Sequence, residues 1–208
     1  MSPAHVLGPT YATLKRRLKS GFWPPGTRLE SARLAIELGV SITPVRDSLN
    51  RLSGERMVAF TPGVGFFVLR FSEAEIADMF DLGRLLVQWL IGIPWSAGSP
   101  QYQRQFDGLD HADRTAALFL SITERTRNSE LIALAMNLND RLHILRALEP
   151  YIIGSSTEEL ADLIQLVGMA SISSGLRDRL THYHVVRKQH ASDFARMLND
   201  PSRYEDLG

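Results

Sequence analysis

Residues 31–52 read SARLAIELGVSITPVRDSLNRL and predict two short helices joined by a tight turn. Gly39 sits where the first helix should end, because glycine adopts the left-handed C-cap conformation without steric cost. Ser41 is placed to cap the second helix, and Pro44 falls in its first turn, where the missing N–H does no harm. The stretch therefore has the outline of a helix-turn-helix whose second helix starts near Ser41.

The second helix of this stretch has two distinct faces. Val45, Leu49 and Leu52 recur at i, i+4 and i+7, which predicts a buried apolar stripe. The opposite face carries side chains that suit phosphates and base edges, namely Thr43, Arg46, Asp47, Asn50 and Arg51. Because an ordinary helical hairpin can show the same pattern, the neighbouring sequence has to decide between the two interpretations.

Charge is unevenly distributed along the chain. The 208 residues carry no net charge, which at first argues against nucleic-acid binding. Residues 1–72 hold 10 basic and 4 acidic residues, a balance of +6, whereas residues 73–208 hold 13 and 19, a balance of −6. This asymmetry is expected when only one domain meets phosphates, although chance surface composition is the alternative.

Composition indicates an ordinary globular protein, with 44% hydrophobic and 22% charged residues. The sequence has no cysteine, which excludes disulfides and thiolate zinc sites, and no N-terminal signal pattern is visible. We therefore expect a cytoplasmic protein. The longest apolar run, residues 85–95, is too short to span a bilayer, so no membrane association is expected.

The segments around the helix pair predict a winged domain over residues 1–70. Residues 10–19 predict a basic first helix, and residues 57–61 and 66–69 predict two strands that flank a tight turn. A hairpin after a helix-turn-helix is a wing. The glycines of its turn permit a close approach to DNA.

Residues 9–70 resemble the winged-helix domain of GntR-family bacterial transcription regulators. The shared motifs are a tyrosine in the first helix, G-x-x-x-P-G-x-x-L, L-A-x-x-L-G-V-S, T-P-V-R and a wing glycine. The residues that carry them here are Tyr11; Gly21, Pro25, Gly26 and Leu29; Leu34, Ala35, Leu38, Gly39, Val40 and Ser41; Thr43, Pro44, Val45 and Arg46; and Gly65. The resemblance implies double-stranded DNA as the partner.

Together with the polar face of the second helix, this resemblance predicts a set of DNA-contacting residues. The set comprises Tyr11, Lys15, Arg33, Ser41, Ile42, Thr43, Pro44, Arg46, Asn50, Arg51, Gly63 and Gly65. Two positions depart from the family pattern. Ser31 replaces a usual glutamate but can still cap its helix. Ile42 replaces an arginine that typically reads guanine.

An isoleucine at position 42 cannot make the bidentate contact to guanine O6 and N7, but it can pack against a thymine methyl group. We therefore expect an altered operator sequence. Loss of DNA binding, which would leave a protein-interaction module, is the alternative.

Residues 71–208 predict an all-helical domain, so the fold class is mainly α: a winged helix-turn-helix followed by a bundle of about six antiparallel helices. A helix beginning near residue 73, a loop over residues 92–108 and helices over residues 112–126, 129–148, 157–171 and 176–198 fit the pattern. Ser72 with Glu75 and Ser156 with Glu159 predict capping boxes, and Ser129 predicts a further cap.

The helix order resembles the C-terminal domain of the FadR-like (FCD) branch of the same family. The resemblance implies dimerisation and a pocket for a small acid, often a carboxylate held by a metal. The metal positions fall on Thr115, Phe119, His182 and near Tyr204, and one possible ligand of four cannot hold an ion. We therefore predict no family-type metal site and no cofactor.

An anionic, carboxylate-type effector remains a prediction for this domain. His143, Arg146 and His182 are its predicted pocket groups, because cationic or donor groups in an apolar pocket suit a carboxylate. The alternative is that these histidines are buried with structural hydrogen-bond partners.

The sequence as a whole predicts a dimeric transcription regulator, in the manner of a repressor, that binds a palindromic operator and releases it when an effector binds. An enzyme housed in the helical domain is a further alternative. No catalytic residue is predicted, because the sequence contains no Ser/His/Asp set, phosphate loop or paired-histidine motif.

Overall fold

The computed structural model describes residues 3–92, 103–169, 174–200 and 202. It contains two compact units that meet in sequence between Arg70 and Phe71. Residues 1–70 form the winged unit, and residues 71–197 form the helical unit. Of the described residues after 197, residues 198–200 and 202 group with the winged unit, whereas the sequence predicts one second domain over residues 71–208.

The winged unit combines three helices with a small sheet. Its elements are α1 (Pro3–Lys19), β1 (Arg28–Leu29), α2 (Ser31–Leu38), α3 (Ile42–Gly54), β2 (Val58–Thr61) and β3 (Gly65–Val68). The strands form an antiparallel sheet in the order β1-β3-β2. The sequence predicted only the β2–β3 hairpin, because a two-residue strand such as β1 is too short to show alternation.

The helix pair folds as the sequence predicted. Gly39 is the C-cap of α2 with φ of 65°, in the left-handed region that glycine adopts freely. Val45, Leu49 and Leu52 are fully buried in the core of the winged unit, which confirms the predicted stripe of α3. This packing fixes which side of α3 faces outward.

The predicted side-chain caps of the helix pair are wrong. Ser41 occupies the N-cap position of α3 with an extended backbone, but its side chain makes no capping hydrogen bond. Ser31 is the first residue of α2, so that Glu30 takes the N-cap position, also without a side-chain cap. The first turns of both helices therefore keep N–H groups without a side-chain acceptor from the cap residue.

The helical unit contains six α-helices among its described residues, in agreement with the predicted architecture. They are α4 (Glu73–Leu90), α5 (His111–Glu124), α6 (Ser129–Ile152), α7 (Ser156–Gly168), α8 (Ser174–Gln189) and α9 (Ala191–Leu198). The predicted loop over residues 92–108 lies partly outside the described residues, and Gln103–Phe106 within it is a 3-10 helix. Within the described ranges, no helix has both the length and the apolar character that a membrane crossing requires.

The helix boundaries of this unit confirm one predicted cap and correct three other predictions. Ser72 and Glu75 form the predicted capping box at the start of α4. The second predicted box is wrong, because Ser156 lies inside α7 and its hydroxyl has no hydrogen-bond partner among the described atoms. Asn128, not Ser129, caps α6 through its side-chain oxygen. The single helix predicted over residues 176–198 is interrupted at His190.

Candidate nucleic-acid interface

The outer face of α3 is open to solvent over its whole length. Thr43, Arg46 and Asn50 are exposed, and Ile42 at the start of the helix is 44% exposed. Arg46 makes no ion pair within the described part of the chain, so its guanidinium is available to an external anion. The Ile42 side chain is therefore accessible at the start of the helix, beside Thr43.

An open groove runs between α3 and the wing. The volume of the groove is about 540 Å³. Its lining residues come from α3, from the wing, and from β1 and the start of α2. They are Arg46 and Asn50; Phe60, Gly63, Val64, Gly65 and Phe66; and Arg28, Leu29, Glu30, Ser31 and Ala32. Gly63 and Gly65 have φ of 75° and 131°, which only glycine adopts without strain. The wing can therefore turn tightly at the rim of the groove.

Three predicted contact residues, Tyr11, Lys15 and Arg51, belong to a hydrogen-bonded cluster around Glu55 at the C-terminal end of α3. The Tyr11 hydroxyl donates to Glu55 at 2.6 Å, and the Lys15 ammonium lies 3.0 Å from the same carboxylate oxygen. Arg51 donates to Glu55 at 3.0 Å, and its guanidinium carbon lies 3.9 Å from the centroid of the Tyr11 ring. The cluster fixes α1 against the end of α3.

This cluster also alters the acidity of its members. Burial alone would raise the pKa of Glu55, but hydrogen bonds from Tyr11, Lys15 and Arg51 outweigh it and lower the pKa. Burial and the Glu55 carboxylate raise the pKa of Tyr11. The charges of Lys15 and Arg51 are thus partly neutralised by Glu55. Arg33 and Arg46, in contrast, have no carboxylate partner among the described residues.

Sequence reasoning missed Arg28, Phe60 and Val64 as residues of the groove. Arg28 precedes the buried Leu29 on β1, and its side chain reaches the wing turn, where it donates to the Val64 carbonyl at 2.9 Å. The available signal was indirect: residues 58–68 contain no charged residue, so a cation at the wing had to come from elsewhere in the sequence.

A family model described as "Bacterial regulatory proteins, gntR family" matches residues 9–68. The matched segment belongs to the GntR family. It contains α1, the helix pair and the wing, so that the groove described above lies within this GntR domain.

The chain is similar in sequence to proteins named as transcription regulators. The Nta operon transcriptional regulator of Aminobacter aminovorans is 26% identical over 135 residues, which cover 59% of this chain and 64% of that protein. The gluconate operon transcriptional repressor of Bacillus subtilis is 33% identical over 78 residues, which cover 38% of this chain and 31% of that protein. The chain matches only part of its relatives, and the matched segment spans 29% to 64% of the length of three of them.

A solved structure extends the likeness of fold beyond the GntR domain. A putative GntR transcriptional regulator from Rhodococcus sp. RHA1 has a TM-score of 0.66 at 14% identity, with 92% of this chain and 96% of that chain covered. The similarity therefore includes the helical unit, and at this identity it concerns the fold alone.

Outside the GntR domain, the helical unit buries an unusual set of charged side chains. Glu149 and Arg187 are both fully buried, and Arg187 Nη2 donates to Glu149 Oε2 at 3.0 Å. The Tyr183 hydroxyl donates to the other Glu149 oxygen at 2.8 Å, and His111 Nε2 lies 3.0 Å from Oε2. Arg187 also contacts the carboxylate of Glu159.

Charge compensation determines the protonation state of this cluster. Burial alone would raise the pKa of Glu149, but the His111 hydrogen bond and the Arg187 charge outweigh it and lower the pKa. Burial lowers the pKa of His184 to about 3, so this buried histidine is neutral near pH 7. His184 Nδ1 lies 2.8 Å from the carbonyl oxygen of Leu180.

Arg146 is the exception within this cluster. It is 2% exposed, its Nη1 donates to the neutral amide oxygen of Asn139 at 2.8 Å, and its Nε has no hydrogen-bond partner among the described atoms. Its guanidinium carbon lies 5.3 Å from the centroid of the Phe119 ring. Both carboxylates of the cluster contact Arg187, and neither contacts Arg146 in the described part of the chain.

The three predicted pocket residues differ in burial and in their partners. His182 is exposed on α8, whereas His184 is the buried histidine of that helix. His143 is buried, but its Nε2 lies 3.0 Å from the Asp113 carboxylate. Of the predicted set, only Arg146 remains as a buried cation without a carboxylate beside it.

Two of the four positions at which the resemblance implies metal ligands, Thr115 and Phe119, hold side chains that do not suit a metal ion. The buried Thr115 donates its hydroxyl to the His111 carbonyl at 2.7 Å, and Phe119 packs against the rings of Tyr183 and His184. Neither position offers a ligand of the kind that structural or catalytic metals use. We derive no metal-dependent step for this protein.

Another group of possible ligands lies at the start of α5. Atoms of Asp110, Asp113 and His143 lie within 4.8 Å of one another. These atoms already serve the protein, because Asp110 caps α5 at the Asp113 N–H and Asp113 contacts His143. We assign no metal to this group.

Proposed function

We propose that this protein is a DNA-binding transcription regulator that reads an operator through α3 and its wing. The observation that carries the proposal is the groove between α3 and the wing, which presents Arg46 and Asn50 beside glycines that permit close approach. Guanidinium groups contact phosphates, and asparagine can read adenine in the major groove. The GntR family match supports the same assignment.

Contacts within the domain divide the proposed DNA-binding residues into two groups. Arg33, Arg46, Thr43, Asn50 and Ile42 face solvent and contact phosphates or bases directly. Tyr11 and Lys15 hold α1 against the end of α3 through Glu55, so their main role is to position that helix. Ile42 contributes an apolar contact, which favours a thymine methyl group over guanine at the matching base pair.

Selection of bound sequences from random duplex DNA, followed by footprinting, tests this function. We expect a protected site whose consensus changes at one position when Ile42→Arg replaces the wild type, because arginine favours guanine. An identical consensus from both proteins would show that residue 42 does not read a base. Failure of the wild type to enrich or protect any sequence would leave the protein-interaction alternative.

We further propose that the protein acts as a homodimer on a palindromic site. Leu82, Leu85 and Trp89 form an exposed apolar stripe on α4, at positions that share one helix face. A second copy of the chain is the partner that would bring two recognition helices to two half-sites. Sedimentation of Leu85→Glu, which should shift the dimer toward monomer, tests this, with the exposed Arg179→Met as a control.

The helical unit is proposed to bind a small carboxylate through Arg146. A buried guanidinium without a carboxylate partner is costly, and a carboxylate ligand would provide the missing bidentate partner. Because the family's metal positions hold Thr115 and Phe119, binding should not depend on a metal. Thermal shifts with a panel of mono- and dicarboxylates, repeated with a chelator and with Arg146→Met, test this. Stabilisation that the chelator abolishes would contradict it.

A further inference from the structure

The wing of this protein has no charged side chain of its own. Residues 58–68, which form β2, the turn and β3, contain no lysine, arginine, aspartate or glutamate. Phe60 and Val64 are instead exposed apolar side chains on this hairpin. Since phosphates are held chiefly by cations, the wing needs a cation from another element to bind the DNA backbone.

Arg28 supplies such a cation from the neighbouring strand. It lies on β1, opposite Phe67 of β3, and its Nη2 donates to the Val64 carbonyl at 2.9 Å. Its Nε lies 3.8 Å from the position that a β-carbon would take at Gly65, so the side chain follows the wing to its turn. The guanidinium thus lies against the part of the wing that the glycines leave open.

Arg28 shares the groove with Arg46. Arg28 lines the wing side and Arg46 lines the α3 side, and Glu30 is the carboxylate residue among the groove-lining residues. A guanidinium carries five N–H donors in a planar fork. One donor of Arg28 is used by Val64, so the remaining donors are available to an oxyanion while the wing turn stays attached.

We propose that Arg28 is a phosphate-binding residue that also positions the wing, by holding a DNA phosphodiester and the Val64 carbonyl with one guanidinium. This proposal rests on the proposed DNA-binding function and adds a residue to it. It makes attachment of the uncharged wing to DNA depend on a side chain from β1. Loss of Arg28 should therefore weaken binding to every sequence.

The experiment measures affinity by fluorescence anisotropy over a salt series, on the selected operator and on an unrelated duplex of equal length. The variants are Arg28→Met, Arg28→Lys and Arg46→Met, with Arg179→Met of the helical unit as the control. We expect Arg28→Met to weaken binding to both duplexes by about tenfold, the effect of losing a charge-assisted hydrogen bond. The slope of log affinity against log salt should fall by about one.

Two further measurements test the phosphate-binding role and the wing-positioning role of Arg28 separately. Arg28→Lys should restore the salt slope, because it keeps the charge, whereas a brace for the wing alone would leave the slope unchanged in both variants. Hydrogen exchange at Val64 and Gly65 should become faster in Arg28→Met without DNA, because the bond that holds the turn is lost.

The outcomes distinguish this proposal from the function on which it rests. If Arg46→Met lowers the slope and Arg28→Met does not, DNA binding holds and the role of Arg28 is refuted. If the wild type binds neither duplex in a salt-dependent manner, the DNA-binding function itself is refuted, and the role of Arg28 with it.

Discussion

Arg146 and Arg187 are both buried arginines of the helical unit, and replacing each by methionine should have very different effects on stability. Arg187→Met would leave the fully buried Glu149 without its guanidinium partner. Breaking a buried pair in this way costs about 3–5 kcal/mol. Arg146→Met would leave only the neutral Asn139 amide oxygen without its partner.

The magnitude for Arg146 follows from its contacts. Methionine loses a hydrogen bond between a charged donor and Asn139, of about 1.5–3 kcal/mol, and a contact with the Phe119 ring, of roughly 0.5–2 kcal/mol. It also removes a desolvated cation whose burial costs several kcal/mol. The losses and the gain are of similar size, so we expect the free energy of unfolding of Arg146→Met to differ from that of the wild type by less than about 2 kcal/mol.

Urea unfolding followed by circular dichroism and tryptophan fluorescence measures both variants. Arg179→Met is the control, because its ion pair with Asp162 is more than half exposed and contributes less than about 1 kcal/mol. A loss of 3 kcal/mol or more in Arg146→Met, equal to that in Arg187→Met, would refute the reasoning. It would mean that Arg146 already has an ionic partner within the protein.

The same environments lead to three further predictions. The pKa of His184 is about 3 in the folded protein and near 6.5 in the unfolded chain. The His184 contribution to stability should therefore be complete above pH 6.5, and the free energy of unfolding should fall by up to about 1.4 kcal/mol per pH unit below it. Urea titrations at several pH values measure this slope, which His184→Leu should remove. Gly83→Ala would place a methyl group 2.7 Å from His184 Nε2, so a loss of roughly 1–3 kcal/mol in unfolding free energy is expected. Arg56 has φ of 58°, so Arg56→Gly should raise the melting temperature, by the equivalent of up to about 1 kcal/mol, and a lower one would show that the Arg56 side chain stabilises the fold.

The sequence predicted the winged unit well because its signals are local. Gly39, the stripe from Val45 to Leu52 and the wing glycines each determine a turn or a helix face within a few residues of chain. The sequence did not predict Arg28 as a groove residue, because its position depends on β-pairing with Phe67, 39 residues away, and on a hydrogen bond to Val64. No local sequence pattern encodes either contact. Long-range pairing is the part of a sheet that a single sequence shows least.

The buried face of α8 was also difficult to predict from the sequence, because it contains polar residues. Leu180, Tyr183, His184 and Arg187 recur at i, i+3, i+4 and i+7, and all four are buried. Two of them count as polar, so the stripe does not look like a core face. It can be recognised only when the partner Glu149, 38 residues from Arg187, is known to lie opposite.

A charged core limits what can change in this unit without loss of the fold. Arg187, Tyr183 and His111 all contact Glu149, so each of them is needed to keep that carboxylate compensated. Arg146 differs from these residues, because its guanidinium contacts the Asn139 amide and no carboxylate in the described part of the chain. The Arg146 guanidinium can therefore bind a ligand carboxylate without leaving a carboxylate of the protein unpaired. For this reason, the free energy of unfolding of Arg146→Met and its thermal shift with carboxylates should be measured on the same protein preparation. If Arg146→Met keeps its fold but carboxylates no longer stabilise it, ligand binding is separated from folding.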